Sequence, residues 1–566
     1  MARPKVKAGG GLPAMWYVAK KSREAGGPLK LYSRLRSKNT CKTCALGMGG
    51  QHGGMVNEAG HFPEVCKKSV QAQAADMAGF IPELFFRNTP IEELASYSSR
   101  ELEHLGRLAY PLLAEPGDTH FRRITWDDAL DRIARNFGAA SPGETFFYSS
   151  GRSSNEAAFL LQLVARAFGT ANIHNCSFYC HQASGVALNG VYGSTTGSIT
   201  LEDIGETDLV LLAGANPASN HPRLITQLVN LRRRGGRVIV VNPLREVGLE
   251  RFRVPSDWRS MLFGSDIAST YIQPHVGSDA VFFLGVLKAL AERGATDEAF
   301  IREYTEGWNE VAANVESTSW DDITETCGVS RPQIESVAEE LAGAERGIFL
   351  WAMGLTHHAH GVENIEALSN IALARGWLGR PGSGLMPIRG HSNVQGVGSV
   401  GVTPQLKQAF ASRLEELYGI TVPAEPGQHT YASMEAAAEG RIRAALLLGG
   451  NLFGSNPDRE WAASALRAIP FTVSISTKLN EGHIHGRGQE SIILPALARD
   501  EEHQATTQES MFNYVRLSEG GDAAVPGQMR SEVDIIASIA ERILPEGRFD
   551  WGALRSHEAL RHSMAE

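Results

Sequence analysis

The chain of 566 residues is several times the size of one hydrophobic core, a length that predicts about three or four lobes and excludes a peptide or small module. With 54 Lys+Arg against 63 Asp+Glu, its net charge of -9 gives no global footprint for nucleic acid or an anionic membrane. Hydrophobic residues at 43% and charged residues at 21% are globular values, and 59 glycines exceed the roughly 7% average, pointing to tight turns and close backbone approaches.

The first 40 residues are basic and Gly-rich (Lys5, Lys7, Lys20, Lys21, Arg23, Lys30, Arg34, Arg36) with weak periodicity. They are expected as an arm lying over the body, with a local partner-binding role. Met1 to Gly11 carries neither an apolar h-region nor a twin-arginine pair, and no apolar stretch approaches the roughly 18 residues of a membrane span. A cytoplasmic protein with no membrane span is therefore expected. Six cysteines in so long a chain form no secreted disulfide framework. Cys41-Lys-Thr-Cys44 places two thiols one turn apart, and Cys66 follows after a stretch rich in Gly and His. Three such thiols suit an iron–sulfur cluster, zinc or a redox disulfide, with Met48, His52 and His61 as candidate fourth ligands.

From Thr145 the chain alternates strand-like apolar runs with helical patterns, the signature of parallel βαβ units. Cys176-Ser-Phe-Tyr-Cys180-His181 precedes a helical Gly/Ala/Val-rich segment, where the helix dipole favours a thiolate at Cys180 as nucleophile or metal ligand. The runs 208–214 and 237–242 predict strands joined by an amphipathic helix from Pro222 to Arg234 that ends at Gly235-Gly236. Further strands are predicted at 347–353 and 444–449. Each runs into a Gly-containing loop, and ligands bind at such carboxyl ends in doubly wound sheets. The loops Gly214-Ala-Asn216-Pro217 and Gly449-Gly450-Asn451 suit phosphate at both ends of a two-nucleotide ligand, although neither is a dinucleotide fingerprint. The non-periodic run 382–396 offers Arg389, followed by Gly390, as a bidentate anion holder. The tract 404–440 reads as an insertion or surface excursion.

Taken in order, these motifs resemble the molybdopterin oxidoreductase superfamily and, within it, the formate dehydrogenase-like branch that includes the YdeP-type oxidoreductases. The resemblance rests on Cys180-His181, Gly-Ala-Asn-Pro-Ala-Ser-Asn-His-Pro at 214–222, Val-Asn-Pro-Leu-Arg-Glu at 241–246 and Pro-Ile-Arg-Gly-His-Ser-Asn-Val-Gln-Gly at 387–396. Thr-Lys-Leu-Asn at 477–480 and Ile-Leu-Pro-Ala-Leu-Ala-Arg at 493–499 extend it. It implies an α/β, multi-lobed fold with discontinuous doubly wound parallel-sheet domains and an N-terminal iron–sulfur lobe. The expected lobes are 1–99 with about 501–566, 100–175 with 392–500, and 176–391.

The resemblance also implies a Mo-bis(molybdopterin guanine dinucleotide) centre with Cys180 on the molybdenum, His181 taking up the substrate proton and Arg389 orienting formate or a related small anion. A [4Fe-4S] cluster would sit on Cys41, Cys44 and Cys66, with His52 or His61 as fourth ligand and Lys68 between cluster and pterin. Arg152 resembles a pterin contact, and Asn216, Asn242, Gln273, Gly277, Asp279 and Gln395 lie where the dinucleotides are held. Electrons would leave to a redox partner protein or subunit. Two departures stand out: Met48 occupies the third cysteine position of the usual cluster motif, and the sequence stops at Glu566, where the resemblance leads one to expect a β-barrel-type cap domain, an expectation consistent with a truncated chain, a domain split across two genes, or a separate subunit that supplies it. A non-catalytic electron-relay or assembly subunit, and a nitrate or N-/S-oxide reductase, are the alternative readings.

Overall fold

The computed structural model describes residues 7–544 and 549–566; Lys5 of the basic arm lies outside the described residues. Two parallel sheets organise the molecule. Strands Thr270–Ile272, Arg237–Val241, Leu209–Ala213, Gly347–Trp351 and Gly384–Pro387 form a five-stranded sheet in that spatial order, every pair parallel. Along Leu209–Ala213, residues 209, 211 and 213 pack into one core while Val210 and Leu212 enter the core on the opposite face. Burial on both faces is why these strands read as unbroken apolar runs. Helix Pro222–Arg233 opens with Pro at its first position, where the missing N–H is no loss. Gly235 follows it at φ 91°, a left-handed turn that glycine adopts without strain.

The seven-stranded sheet places Glu490–Pro495, Phe471–Ser476, Ala444–Leu448, Thr145–Ser149 and Ile173–Asn175 side by side and parallel; Leu112–Ala114 and Arg122–Arg123 extend one edge antiparallel. Phe147 faces one core and Phe146 and Tyr148 the other, the period-two alternation of a strand covered on both sides. The strands come from two stretches of chain, 112–175 and 444–495, with the whole five-stranded sheet between them in sequence. The tract 404–440, expected at the surface, carries helices Gln408–Tyr418 and Thr430–Ala438. Its Leu414, Tyr418, Met434, Ala436 and Ala437 are buried, so it covers the seven-stranded sheet rather than leaving it.

The basic arm is also more ordered than its weak periodicity predicts. It forms helices Gly11–Glu24 and Pro28–Arg36, and Ala25 and Leu31 pack with Val70 and Ala74 of helix Lys67–Asp76. The loop after this arm meets the C-terminal region: Thr40 N–H donates to Ser518 Oγ (3.0 Å), Met511 N–H to the Ala45 carbonyl (2.8 Å) and Arg516 Nη1 to the Gly49 carbonyl (2.9 Å). A fully buried bidentate pair, Arg107 to Glu501 at 2.9 and 3.2 Å, ties the segment before the seven-stranded sheet to the C-terminal region. Arg107 also donates to the Asp76, Thr477 and Ala496 carbonyls.

Candidate active site

Strand Ile173–Asn175 of one sheet and strands Gly347–Trp351 and Gly384–Pro387 of the other send their carboxyl ends into the same cleft, carrying Cys176–His181, Met353 and Ile388–His391 respectively. The 3-10 turn Cys176–Tyr179 ends at Cys180, and His181 opens helix Gln182–Tyr192. Helix-dipole reasoning predicts an acidic Cys180 thiol, but burial dominates and raises its pKa, against the opposing pull of the Arg389 guanidinium and the Gly390 N–H. Met353 Sδ lies 3.5 Å from Cys180 Sγ. A Cβ at position 390 would stand 3.9 Å from the same sulfur, so the Arg389 loop runs directly over the thiol.

Arg389 is buried; its Nη2 donates to the Thr195 carbonyl (2.7 Å) and its Nε has no partner. An unpartnered buried guanidinium N–H beside a thiol is an anion-binding feature. Its backbone is held from two sides. His181 Nε2 donates to the Ile388 carbonyl (3.1 Å), and His221 Nε2 to the Arg389 carbonyl (2.7 Å). His181 Nδ1 meets Ser184 Oγ (3.0 Å), which accepts from Trp351 Nε1 (2.8 Å). This chain fixes the neutral Nε2–H tautomer and agrees with a pKa lowered to about 3 by burial and by Arg389. With both ring nitrogens hydrogen-bonded, His181 anchors the Arg389 loop through the Ile388 carbonyl.

Two cavities lie beside this centre. One of about 450 Å³ runs along the five-stranded sheet past Thr43, Cys44, Lys68, Asn216, Met353 and Gly390. The other, about 530 Å³, runs along the seven-stranded sheet past Gly449, Asn451, Ser476, Lys478, Arg499 and Glu532. Both are lined by Arg152 and His391, where they meet. Gly214 and Gly354 let the two strand-end loops cross: Gly354 N–H donates to the Gly214 carbonyl (3.0 Å), and a Cβ on Gly354 would lie 2.6 Å from Gly214 Cα. The Asn216 and Asn451 side chains accept from Ser219 N–H and Gly454 N–H, capping the first turns beyond their strands.

Asn242 and Gln273 stand at the carboxyl ends of the neighbouring strands 237–241 and 270–272, further along the same edge, and Gln273 donates to the Pro243 carbonyl (2.8 Å). Gly277 takes φ 88° in the following turn, and Asp279 is buried at the start of helix Asp279–Glu292, its pKa raised by that burial. These four do not line either cavity. Neither does Gln395, whose amide donates to Glu509 (2.8 Å) and Asn513 (2.6 Å) and ties the Arg389 loop to strand Thr506–Glu509.

Cys41, Cys44 and Cys66 come together around the buried Arg223, whose positive charge acts on all three thiols. Arg223 itself is held by Glu64 (3.1 Å) and the Gly47 carbonyl. Burial raises the Cys44 and Cys66 pKa values, and the neighbouring Cys41 adds to both shifts. Cys66 caps helix Lys67–Asp76, which carries Lys68 into the first cavity beside Cys44. His52 and His61 are exposed. Among the described residues no set of three or more His, Cys, Asp or Glu side chains is arranged around a single metal ion, so neither histidine completes a one-ion site with these thiols. Met48 is buried at the third motif position and its carbonyl accepts the Cys41 N–H (3.0 Å).

Sequence reasoning passed over Cys176 and His391. The Cys176 thiol, its pKa pushed up to about 12 by burial and by Cys180, lies 3.1 Å from His391 Nδ1. The signal was available: His391 sits two residues after Arg389 in the quoted loop, and Cys176 one helical turn before Cys180.

Paired sheets covered on both faces, with a cysteine at their shared cleft and a cavity along each sheet, define an α/β scaffold built around that cleft. A family model described as molybdopterin oxidoreductase matches residues 107–542, and the chain belongs to that family. It is similar to protein YdeP of Escherichia coli (strain K12), 37% identical over 508 residues that cover 86% of this chain and 67% of YdeP. A putative formate dehydrogenase, YrhE of Bacillus subtilis (strain 168), is 29% identical over 74% of this chain and 42% of its own length. Among solved structures, acetylene hydratase from Pelobacter acetylenicus shares the fold with a TM-score of 0.62 at 18% identity, covering 85% of this chain and 63% of that one. The chain thus spans about two thirds of the length of YdeP. No helix among the described residues is long and apolar enough to cross a membrane.

Proposed function

We propose that this chain is a molybdenum-dependent oxidoreductase of formate dehydrogenase type, acting on formate or a related small anion. The observation that carries the reading is the Cys180 thiol beneath the Gly390 N–H and beside a buried, incompletely partnered Arg389, with Met353 and Gly390 next to that thiol lining one of the two cavities that share Arg152 and His391. The residues fit the group the family implies: a soft sulfur donor for molybdenum at Cys180, and two cavities of about 450 and 530 Å³, each with polar and charged side chains among its lining, one for each molybdopterin guanine dinucleotide. Arg152 and Lys68 would contact the pterins, with Gly214, Asn216, Gly449 and Asn451 at the strand ends towards the phosphates. Asn242, Gln273, Gly277 and Asp279 would hold the far end of one dinucleotide, and Gln395 would act through the loop it anchors. Three thiols around a buried cation fit a [4Fe-4S] cluster bound by Cys41, Cys44 and Cys66.

Bound at these residues, the molybdenum group would supply two-electron redox chemistry and a cluster on Cys41, Cys44 and Cys66 one-electron transfer. Arg389 binds the carboxylate through the N–H groups that Thr195 leaves free, and burial strengthens that contact by excluding water. His181 and His221 keep the guanidinium in register by holding its backbone. Formate oxidation, HCOO⁻ → CO₂ + H⁺ + 2e⁻, releases one proton. His391, neutral at pH 7 and lining both cavities, would receive it at Nε2 in the tautomer whose Nδ1–H donates to the Cys176 sulfur. Elemental and nucleotide analysis of anaerobically purified protein tests the proposal: about one Mo, four Fe and two guanines per chain are expected, together with formate-dependent dye reduction. Protein that contains neither molybdenum nor tungsten and yields no guanine overturns it.

A further inference from the structure

The helices that cover the cysteine cluster carry a concentration of positive charge at odds with the rest of the molecule. Residues 7–38 hold eight Lys or Arg and one acidic residue, Glu24, in a chain whose net charge is -9. Lys20, Arg23, Lys30 and Arg36 are exposed, as is Lys67 on the helix beneath. Within the arm, ion pairs engage Lys21 with Glu24 and Lys38 with Glu519, and none engages these five among the described residues. The same surface exposes large apolar groups: Leu12, Met15, Trp16, Leu29 and Tyr32 are 47–84% exposed. Single exposed apolar residues are ordinary, but five on two adjoining helices, interleaved with unpaired cations, form the aromatic-and-cation surface typical of a binding face.

Its position gives the surface a purpose. Helices Gly11–Glu24 and Pro28–Arg36 both pack on helix Lys67–Asp76, whose N-terminal cap is Cys66. Lys67 lies over the Tyr17 ring at 5.4 Å, next to the exposed Trp16. Arg36 lies over Tyr32 and Phe62, at 5.9 and 4.9 Å from their centroids. The patch therefore stands directly outside the thiols from which, in the function proposed above, electrons leave. We infer that this helical pair is the docking surface for a small acidic electron-carrier protein. The choice of a redox carrier rests on that proposed function; the choice of an acidic protein rests on charge complementarity alone. Steering by such a patch acts over about a Debye length of 8–10 Å at physiological ionic strength and is screened by added salt.

The test uses the full chain as purified and a plant-type acidic [2Fe–2S] ferredoxin as probe, with a basic c-type cytochrome as control, in titration calorimetry. Binding of the ferredoxin is expected to weaken at least about tenfold between low salt and about 0.3 M NaCl, and the cytochrome should not bind. Lys20→Glu/Arg23→Glu/Lys30→Glu should lose about tenfold or more at low salt. The milder Lys20→Gln/Lys30→Gln, which leaves the helices' apolar contacts intact, should lose a smaller, measurable part, and Trp16→Ser should weaken binding without changing its salt dependence. Undiminished binding by both charge variants overturns the inference. So does sedimentation of the protein with phosphatidylglycerol vesicles while ferredoxin stays free, or a dimer in solution that Trp16→Ser dissolves. Iron and molybdenum content is measured on the same samples. Ferredoxin binding by protein that lacks both metals would leave the surface standing and remove the proposed function, whereas loaded protein that ignores ferredoxin would do the reverse.

Discussion

Glu502 is 4% exposed, and its Oε2 has no hydrogen-bond partner while Oε1 accepts from Glu532 N–H (3.2 Å). Burial, with the nearby carboxyls of Glu532 and Glu156, raises its pKa from 4.5 to about 8, so the side chain is neutral in the folded protein at pH 7. In the unfolded chain it ionises near its ordinary value. Between about pH 4.5 and 8 the folded state thus holds one more proton than the unfolded state, and stability falls as pH rises: the contribution is complete below 4.5 and gone above 8. Each pH unit in that window is worth about 1.4 kcal/mol, so wild-type protein should lose on the order of 3–4 kcal/mol from this group between pH 5 and 8. Glu502→Gln, an uncharged mimic of the protonated carboxyl, should escape that loss. Its urea midpoint, followed by Trp fluorescence, should gain on wild type by about 1 M as pH rises from 5 to 8. A wild-type-to-variant difference that stays constant across this range would refute the reasoning, because Glu502 would then be ionised, or water-exposed, in the folded protein.

Arg107→Met leaves Glu501 buried and unpaired and should cost about 3–5 kcal/mol in the same denaturation assay; a loss below 1 kcal/mol would mean that water reaches the pair. Gly354→Ala drives a methyl group into Gly214 and should lower the thermal midpoint and cofactor retention together, as overpacking of about 1–3 kcal/mol spreads the two strand-end loops; unchanged guanine content would contradict that coupling. Cys180→Ala should abolish formate-dependent dye reduction while leaving the visible absorption of any cluster intact, and retained turnover would remove Cys180 from the metal. His181→Asn should raise the KM for formate more than it lowers kcat, whereas a kcat loss of about a thousandfold at unchanged KM would restore it as the proton acceptor.

The strands were legible because both faces of each sheet are covered. Leu209–Ala213, Gly347–Trp351 and Ala444–Leu448 are short continuous apolar runs that end in Gly-containing or polar loops, and those loops form the cleft. The basic arm was not legible as helices. Its stabilising contacts, Ala25 and Leu31 against Val70 and Ala74, are few and made with another element, so its own periodicity carries little signal. The tract 404–440 misled for a similar reason: Ala436 and Ala437 bury small side chains that register weakly as hydrophobic. At the site, residue types pointed to Cys180 and Arg389, but the role of His181 turns on hydrogen bonds from Ser184 and to the Ile388 carbonyl, partners as far as 207 positions away. Cys176 and His391 each sit beside a flagged residue, but their contact with one another spans 215 positions and no local spacing reveals it.

The interruption of the seven-stranded sheet has a consequence for biosynthesis. Strand Thr145–Ser149 must wait for Ala444–Leu448 before its neighbour exists, and by then the complete five-stranded sheet has left the ribosome. The inserted lobe can fold first as a unit, while the surrounding sheet closes last, at the entropic cost of a long loop. Since the cleft lies between the two, its walls come together only after Ala444–Leu448 has emerged. A large prosthetic group therefore has a late interval in which to enter, before the second sheet supplies the facing wall of the cleft.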